Sequence, residues 1–519
     1  MVSGNNKKIF LSTLVPLILS IIGASFLIYY IFRASTDVVA SDYIRIINNY
    51  IVDVEDLESL WSWETVSRIP FTFLARYINV KLFNYSVYFD KILGIFGLFI
   101  FNFVTVKYVL ENIGHRVFKY VISIMVTLVS FSLMAWEMIL NGTGYPHFIT
   151  VGLMALTFYV GTKIADLQTV GVSISHYIIN ITLIIVTSLL FAGNYAVAFL
   201  ATIIIFSIID LIMSHKRYCG NFTIYNVGEK PQSKAVKLRG HILSKVLTII
   251  ISLICIAIYF KSSSTGEQIL PVGFQDITLK ELLAEDLLFP VKFLICSFAS
   301  ALVGVETITY AIAAGSINAN YIYIFGSIYL LIVVWTIATI AIKIYKYFNN
   351  KKTATERATE ASDLGKEIDL FPLYYIVCGL INFTLVFLAR YKFVRVDYGM
   401  QSRYAIQYMF LTIGIILVLA RYIDKIISSK TFEKKRIIAS LISAICILIL
   451  FMGHLVTTED EIMKSDSRKI LYSQVEEVAR NYKNYDDETL MNTFEYRRSA
   501  EHIRDALAIL ENNHLNIFK

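Results

Sequence analysis

The chain has 519 residues, of which 56% are hydrophobic and only 17% are charged. A soluble domain usually carries about 25% charged residues, so a soluble chain of this size would lack the charge to cover its surface. The composition excludes a soluble enzyme, a secreted disulfide scaffold and a disordered regulator. Repeated apolar runs of roughly 20 residues indicate a polytopic helical membrane protein.

The net charge of +7 is unevenly distributed along the chain. Residues 458–519 contain 13 of the 40 acidic residues and 9 of the 47 lysines and arginines, so this segment is net acidic while the rest is strongly basic. We interpret the basic excess as a signal of membrane topology and predict no binding of nucleic acid. The five cysteines form no CxxC or Cys/His cluster, so neither a disulfide framework nor a zinc site is predicted.

Twelve apolar runs predict helices at membrane depth: 9–32, 88–111, 118–138, 147–164, 176–193, 195–213, 246–261, 286–304, 322–343, 370–390, 404–423 and 436–457. The first run is too long for the apolar part of a signal peptide, and no small-residue cleavage site follows it. It is therefore predicted to be a retained span. Lys7 and Lys8 precede it, which places the N-terminus in the cytoplasm.

Basic loops fix the predicted topology of the remaining spans. The strongly basic loops should be cytoplasmic, and they are 214–245, 343–366 and 421–436. The outer segments are then 33–87, 262–285, 391–403 and the C-terminal tail. The chain must cross an odd number of times between residues 285 and 344, where only two apolar runs exist. We therefore expect 11 crossings with a re-entrant piece, or 13, and a re-entrant backbone requires cover by protein or a water-filled cavity.

Two outer regions are predicted to be helical. Within 33–87, a helix is expected over 43–50, and Val66, Ile69, Phe73 and Tyr77 recur at the spacing of a helix that lies on the membrane surface. The tail contains amphipathic segments at about 461–480 and 499–511. The predicted fold is an all-α transmembrane bundle in residues 1–457, with outer amphipathic helices in 33–87 and a small extracytoplasmic helical tail in 458–519.

Two carboxylates follow directly on the first span. Asp37 and Asp42 are predicted to lie at the outer membrane surface, where a carboxylate can act as a general base on a sugar or lipid hydroxyl. The alternative is structural, because Ser41 or Asp42 would suit the N-terminus of the helix over 43–50.

Seven basic residues lie on the side where the positive-inside bias would deplete them: Arg45, Arg68, Arg76, Arg390, Lys392, Arg395 and Arg403. Arginine binds phosphate through two parallel hydrogen bonds, so this set suits the phosphate of a lipid-linked substrate. Attraction to anionic lipid headgroups is the alternative. Arg403 and Arg68 are the strongest candidates.

Two further acids lie near span ends or at membrane depth. Glu137 follows Trp136, and Glu306 lies in the polar stretch after the run 286–304. Ionisable groups at such depth are costly and are therefore candidates for function. The alternatives are an interfacial position for Glu137 and a buried, satisfied carboxyl for Glu306. The histidines show no metal-ligand spacing, so we predict no metal site, and no nucleotide-binding loop is present.

The ordered set of short motifs resembles a group of bacterial polytopic membrane proteins similar to GT-C-fold glycosyltransferases. That group carries Asp-Asp-Trp after the first span, then His-Asn-Glu-His-Arg-Ile and Pro-Arg, then Trp-Glu, and later Ser-Arg-Tyr at the start of a span. Here the corresponding segments are Ser41-Asp42-Tyr43, Ser67-Arg68-Ile69-Pro70, Trp136-Glu137, and Arg395 followed by Ser402-Arg403-Tyr404. The chain departs from the pattern at Ser41 and at 64–67, where Glu64 is the one acid.

The resemblance implies transfer of a sugar from a polyprenyl-phosphate carrier to a glycan or lipid-linked acceptor of the cell envelope, with inversion. It implies a multi-pass protein of the bacterial plasma membrane that contacts membrane lipids and uses no cofactor besides its lipid-linked donor. Asp42 would be the base, with Asp37 as second candidate. The implied substrate-binding residues are Arg68, Arg395, Arg403, Tyr404, Glu64, Glu137 and Glu306.

Two alternatives remain open from the sequence. A flippase or transporter of a lipid-linked saccharide should show broken helices in both halves and charges near mid-bilayer. A polysaccharide polymerase would share the outer arginines but release long glycan chains. The three activities differ in their products, so flux and product length separate them.

Overall fold

A computed structural model of the chain describes residues 2–51, 54–55, 69–167, 174–220, 231–263, 273–349, 369–428, 434–496 and 499–519. These residues contain α-helices, short 3₁₀ and π turns, and no β-strand. The α-helices are α1 (Val2–Ala34), α2 (Asp42–Tyr50), α3 (Pro70–Phe83), α4 (Val87–Asn112), α5 (Arg116–Ser130), α6 (Trp136–Leu140), α7 (Tyr145–Leu167), α8 (Ile174–Val186), α9 (Ala196–Gly220), α10 (Pro231–Ser263), α11 (Leu279–Glu285), α12 (Phe289–Leu302), α13 (Val305–Ala313), α14 (Tyr321–Asn349), α15 (Leu370–Arg390), α16 (Ala405–Ile427), α17 (Lys434–Met463), α18 (Ser465–Arg480), α19 (Asp487–Thr493) and α20 (Ala500–Asn512).

Eleven helical stretches of the described chain are long and apolar enough to cross a membrane. They are α1, α4, α5 with α6, α7, α8, α9, α10, α14, α15, α16 and α17. A membrane span must satisfy its backbone hydrogen bonds internally, which is why long apolar runs fold as helices. The number agrees with the first of the two predicted counts. We call the end of the bundle that holds residues 34, 137, 402 and 463 the upper end, and the end that holds residues 112, 369 and 427 the lower end.

The sequence required an odd number of crossings between residues 285 and 344. The helix α14 supplies one crossing, and the bent pair α12–α13 adds none. Its two helices bend by 96° at a short break. The chain reaches the pair from the upper end, where Gln275 N donates to Lys392 O at 2.9 Å. After the bend, Thr307 Oγ1 donates to Asp460 Oδ2 at 2.6 Å, again near the upper end. Because the chain enters and leaves at the same end, the geometry is that of a re-entrant hairpin.

The bundle is held by close helix packing around α16, whose residues are mostly buried. One close approach joins α4 and α7. A Cβ placed on Gly97 would lie 2.3 Å from the backbone nitrogen of Ile149, and one placed on Gly152 would lie 2.4 Å from the carbonyl oxygen of Gly97. Small residues permit this close approach. In a membrane, helices associate through van der Waals packing because there is no hydrophobic driving force between them.

Polar side chains inside the bundle pair with one another. Asn102 Nδ2 donates to Ser20 Oγ at 3.0 Å, and the hydroxyls of Thr105 and Tyr375 are 2.9 Å apart. At the lower end, Asp424 accepts hydrogen bonds from the backbone nitrogens of residues 114 and 115, each at 2.9 Å. These contacts fix the register of helices that apolar packing alone would leave free to slide.

The C-terminal tail is helical, and it packs against the first outer segment. Its helices α18, α19 and α20 pack on α2 and on the segments around residues 38 and 85, and all of them share one apolar core. Ser41 N donates to Phe494 O at 2.9 Å, and Asn516 N donates to Asn84 O at 2.7 Å. Because each partner alone presents an apolar face, the first outer segment and the tail bury these faces together.

Two helices differ from the sequence-based boundaries. α9 continues to Gly220 and α10 begins at Pro231, so both extend into the basic segment predicted as the loop 214–245. Lysine and arginine are good helix formers, and hydropathy locates the apolar part of a helix only. The predicted surface helix is α3, which begins at Pro70 and leaves Leu74, Tyr77 and Leu82 exposed. Its position on a membrane surface stays a prediction.

Substitution of Gly97 by alanine tests the α4–α7 contact. The added methyl group would overlap backbone atoms of α7, so we expect Gly97→Ala to lower the free energy of unfolding by about 1–3 kcal/mol. Gly161→Ala is the control, because a Cβ there would meet its nearest neighbour at 3.7 Å. Thermal unfolding of the purified protein should show a lower midpoint for the first variant only. Equal midpoints would contradict the close packing.

Candidate functional site

Three segments that are distant in the sequence meet at the upper end. They are the first residue of α2, the short helix α6, and the 3₁₀ turn Ser402–Tyr404 that begins the span of α16. Glu137 Oε2 accepts a hydrogen bond from Ser402 Oγ at 2.8 Å, and Glu137 Oε1 lies 4.0 Å from Arg403 Nε. Asp42 is close enough to attract the Arg403 guanidinium electrostatically. Of the candidates from the sequence, Glu137 and Arg403 therefore form an ion pair, and Asp42 lies within electrostatic range of the Arg403 guanidinium.

One hydrogen-bond donor of Arg403 has no acceptor among the described residues. Its Nε is shielded from solvent and makes no hydrogen bond to any described residue, while 41% of its side chain is exposed. The neighbouring Gln401 also has a buried, unpaired Oε1 within the described part of the chain. A buried donor or acceptor left unpaired costs free energy. The exposed part of the Arg403 side chain is the part that a polar ligand can reach, while Nε lies on the side of Glu137.

The two acids after the first span have different surroundings. Asp37 accepts hydrogen bonds from Ser86 Oγ at 3.0 Å and from Tyr88 N at 3.1 Å, and it forms an ion pair with Lys519 at 3.2 Å. It thereby caps the N-terminus of α4, where a carboxylate is favoured. Asp42 is exposed and forms no hydrogen bond or ion pair with the residues that the structure describes. Of the two, Asp42 has the carboxylate free for chemistry.

Backbone geometry places Asp42 at the start of α2. Ser41 precedes it with φ of 52°, in the left-handed region that residues with a Cβ seldom adopt. The hydrogen bond from Ser41 N to Phe494 of the tail holds this conformation. The side chain of Ser41 makes no capping bond, so the predicted N-cap interaction by Ser41 is absent. Asp42 itself occupies the first turn of α2.

Tyr404 and Arg395 have other partners. Arg390 Nε donates to the Tyr404 hydroxyl at 2.7 Å, which ties the buried Tyr404 ring to the end of α15. Arg395 forms an ion pair with Asp397 in its own loop at 2.7 Å, and this hydrogen-bonded partner raises the pKa of Arg395. Arg395 is thus engaged locally and is not in contact with the Glu137–Arg403 pair. Arg68 and Glu64 lie outside the described residues, and their roles stay predictions.

A second polar group adjoins the first through Trp136. The Arg468 guanidinium lies 3.4 Å from the centre of the Trp136 ring and donates to Glu461 at 2.9 and 3.3 Å. Glu461 is only 2% exposed and also accepts from Tyr30 Oη at 3.1 Å. Glu306, in the first turn of α13, faces the Trp136 indole N–H without reaching hydrogen-bond geometry and lies in electrostatic range of Arg468. The re-entrant hairpin thus brings the predicted acid beside the site.

Sequence reasoning missed Glu461 and Arg468. A signal was present, since residues seven apart lie on one face of a helical segment and the segment 461–480 was already predicted to be amphipathic. The stacking on Trp136 was not visible, because it joins positions more than three hundred residues apart. Among the described residues, no three His, Cys, Asp or Glu side chains are grouped so that they could hold a metal ion.

Comparison of the chain with protein-family models, with curated proteins and with solved structures finds no match.

Removal of the Glu461 carboxylate tests the second polar group. Because Arg468 would keep a partly buried charge without its bidentate partner, we expect Glu461→Ala to reduce stability by about 3–5 kcal/mol. Glu476→Ala is the control, since Glu476 pairs with Arg480 at the surface of α18, where such pairs contribute little. Chemical denaturation of both variants measures the difference. A Glu461 variant as stable as the Glu476 variant would refute the structural importance of this pair.

Proposed function

We propose that the protein is a membrane glycosyltransferase that moves a sugar from a polyprenyl-phosphate carrier to a hydroxyl acceptor of the cell envelope. The observation that carries the proposal is an unengaged carboxylate within electrostatic range of an incompletely bonded arginine at one end of a membrane bundle. Asp42 and Arg403 are these two groups. The resemblance of the motifs around them to GT-C-type enzymes supports the same activity.

In the proposed reaction Asp42 takes the proton of the acceptor hydroxyl. The acceptor oxygen forms a new bond to the anomeric carbon, and the bond from that carbon to the phosphate oxygen breaks. The phosphate leaves with the bonding electrons on the face opposite the acceptor, so the anomeric configuration inverts. General-base assistance of this kind contributes about 10²- to 10⁴-fold to a rate.

Arg403 is proposed to stabilise the departing polyprenyl phosphate. A guanidinium offers several donors in a fixed plane that matches phosphate oxygens. Among the described residues, Nε of Arg403 has no hydrogen-bond acceptor. Glu137 holds this arginine from one side through its ion pair, while Ser402 fixes Glu137. Glu137 is therefore a positioning residue in the proposal, and it also limits how strongly Arg403 binds an anion.

The proposed reaction takes place outside the cytoplasm of a bacterial cell. The strongly basic segments 214–245, 343–366 and 421–436 all connect helices at the lower end of the bundle, and such segments favour the cytoplasmic side. The upper end with Asp42 and Arg403 then faces outward. The lipid carrier reaches it from the outer leaflet, and the sugar acceptor from the envelope.

Transfer of label tests the role of Asp42. Purified protein in liposomes is given a radiolabelled polyprenyl phosphosugar and an envelope fraction as acceptor, and label outside the lipid fraction is counted. We expect Asp42→Asn to lower the rate about 10²- to 10⁴-fold while Asp276→Asn, at a fully exposed carboxylate of the same end, keeps it. Wild-type transfer by the first variant would rule out Asp42 as base. Carrier flux without transfer would favour a flippase, and long labelled chains a polymerase.

Replacement of Arg403 by lysine tests the leaving-group role in the same assay. Lysine keeps the charge but loses the planar donors, so we expect a rate loss of about 10²- to 10³-fold, as for removal of one oriented donor from a transition state. Arg395→Lys should change the rate little, because Arg395 is engaged with Asp397. Similar rates for the two variants would show that Arg403 does not act on the phosphate.

A further inference from the structure

A small cavity lies beside α2. Its lining includes Tyr43, which follows the proposed catalytic residue Asp42 in sequence, and does not include Glu137 or Arg403. Its volume is about 40 Å³, enough for about three water molecules. It is enclosed by α2, α3, α4 and the start of α7. Among the described residues, the polar ones that line it are Tyr43, Thr72, Arg76, Tyr85, Asp90, Thr143 and Tyr145.

The described residues that line this cavity include one charge of each sign. Arg76 and Asp90 are only 6% and 4% exposed, and the two attract each other. Asp90 is further bonded by Tyr43 Oη at 2.7 Å and by Asn79 Nδ2 at 3.1 Å. An anion in the cavity would face the Asp90 carboxylate, and a cation would face the Arg76 guanidinium. A neutral polar ligand avoids both costs.

The hydroxyl groups around the cavity are arranged mainly as acceptors. Tyr43 donates to Asp90, Tyr145 donates to the carbonyl of Thr72 at 3.3 Å, and Thr143 donates to the side chain of Asn141 at 2.9 Å. Burial raises the pKa of Tyr43 well above its usual value, so its proton stays in place for Asp90. The hydroxyl oxygens of Tyr43 and Thr143 retain lone pairs. A ligand that brings its own hydroxyl protons therefore suits the cavity.

Aromatic rings complete the walls. Tyr43 and Tyr85 lie edge to face, with ring centres 6.0 Å apart and planes at 87°, and Tyr145 faces the same space. Such rings offer apolar surface to C–H groups. The combination of hydroxyl acceptors, a guanidinium and aromatic walls around a neutral space is suited to a molecule that alternates C–H and O–H groups.

We propose that this cavity is a subsite that takes the hydroxymethyl or diol edge of a saccharide. The inference deepens the proposed function, on which it rests, by naming a place for a sugar at the helix that carries the base. The volume admits one edge of a sugar, so the ring stays at the mouth of the cavity. Tyr43 directly follows Asp42, but the buried Tyr43 and the exposed Asp42 face different sides of α2, so the subsite binds the sugar without presenting it directly to the carboxylate.

Saturation-transfer NMR tests the subsite on the full chain in lipid nanodiscs, since sugar-headed detergents would compete for it. The probes are the methyl glycosides of glucose, galactose and mannose, with inorganic phosphate and tetramethylammonium as charged probes. We expect contact with at least one glycoside. Thr143→Val should weaken its binding about fivefold, the loss expected for one hydrogen bond. Tyr77→Phe, which removes an exposed hydroxyl of α3 outside the cavity, should leave the affinity unchanged.

Three results would overturn the subsite: no contact with any glycoside, equal affinity in the Thr143→Val variant, or tighter binding of either charged probe. The Asp42→Asn variant distinguishes failure of the subsite from failure of the proposed function. It should bind the glycoside as the wild type does and fail in transfer. If it transfers sugar while Thr143→Val loses glycoside affinity, the base assignment fails and the subsite stands.

Discussion

The contact of Glu137 with Ser402 and Arg403 is the interaction on which the rest of the site depends. It joins the end of the third span, α5 with α6, to the start of the most buried span, α16, across 265 positions of sequence. A carboxylate at the edge of a membrane is stable only when it is paired or hydrated, and here one residue supplies a hydroxyl and the next a guanidinium. The pair thereby fixes where Arg403 can act, and it leaves one donor of that arginine open.

Asp42 is held at the upper end by the contacts of its own helix, α2. Its helix α2 is held from below by the Tyr43–Asp90 hydrogen bond and from above by the apolar core that α2 shares with the tail. The tail also closes on the start of α2 through Phe494, which accepts from the backbone of Ser41. The C-terminal helices are consequently part of the support of the site. This arrangement explains why the first outer segment needs an ordered partner to keep an exposed carboxylate in a defined position.

Much of the bundle could be predicted from hydropathy, because apolar length and the need to satisfy the backbone in lipid leave few choices. Charge parity required either a re-entrant piece or a third crossing between residues 285 and 344, because the flanking segments had to lie on opposite sides, and the 96° bend in the structure distinguishes the two. Tertiary partners were beyond such reasoning. The motif resemblance ranked Asp42 above Asp37, but the physical difference between them lies in the contacts of Asp37 with Ser86, Tyr88 and Lys519.

The most direct measurement of the central claim is an electron cryo-microscopy structure of the protein in nanodiscs that contain polyprenyl phosphate. The account predicts phosphate density at the upper end, within hydrogen-bond distance of Arg403 and adjacent to Asp42. Phosphate density at the lower end instead, for example beside Arg421 where it pairs with Asp369, would contradict it.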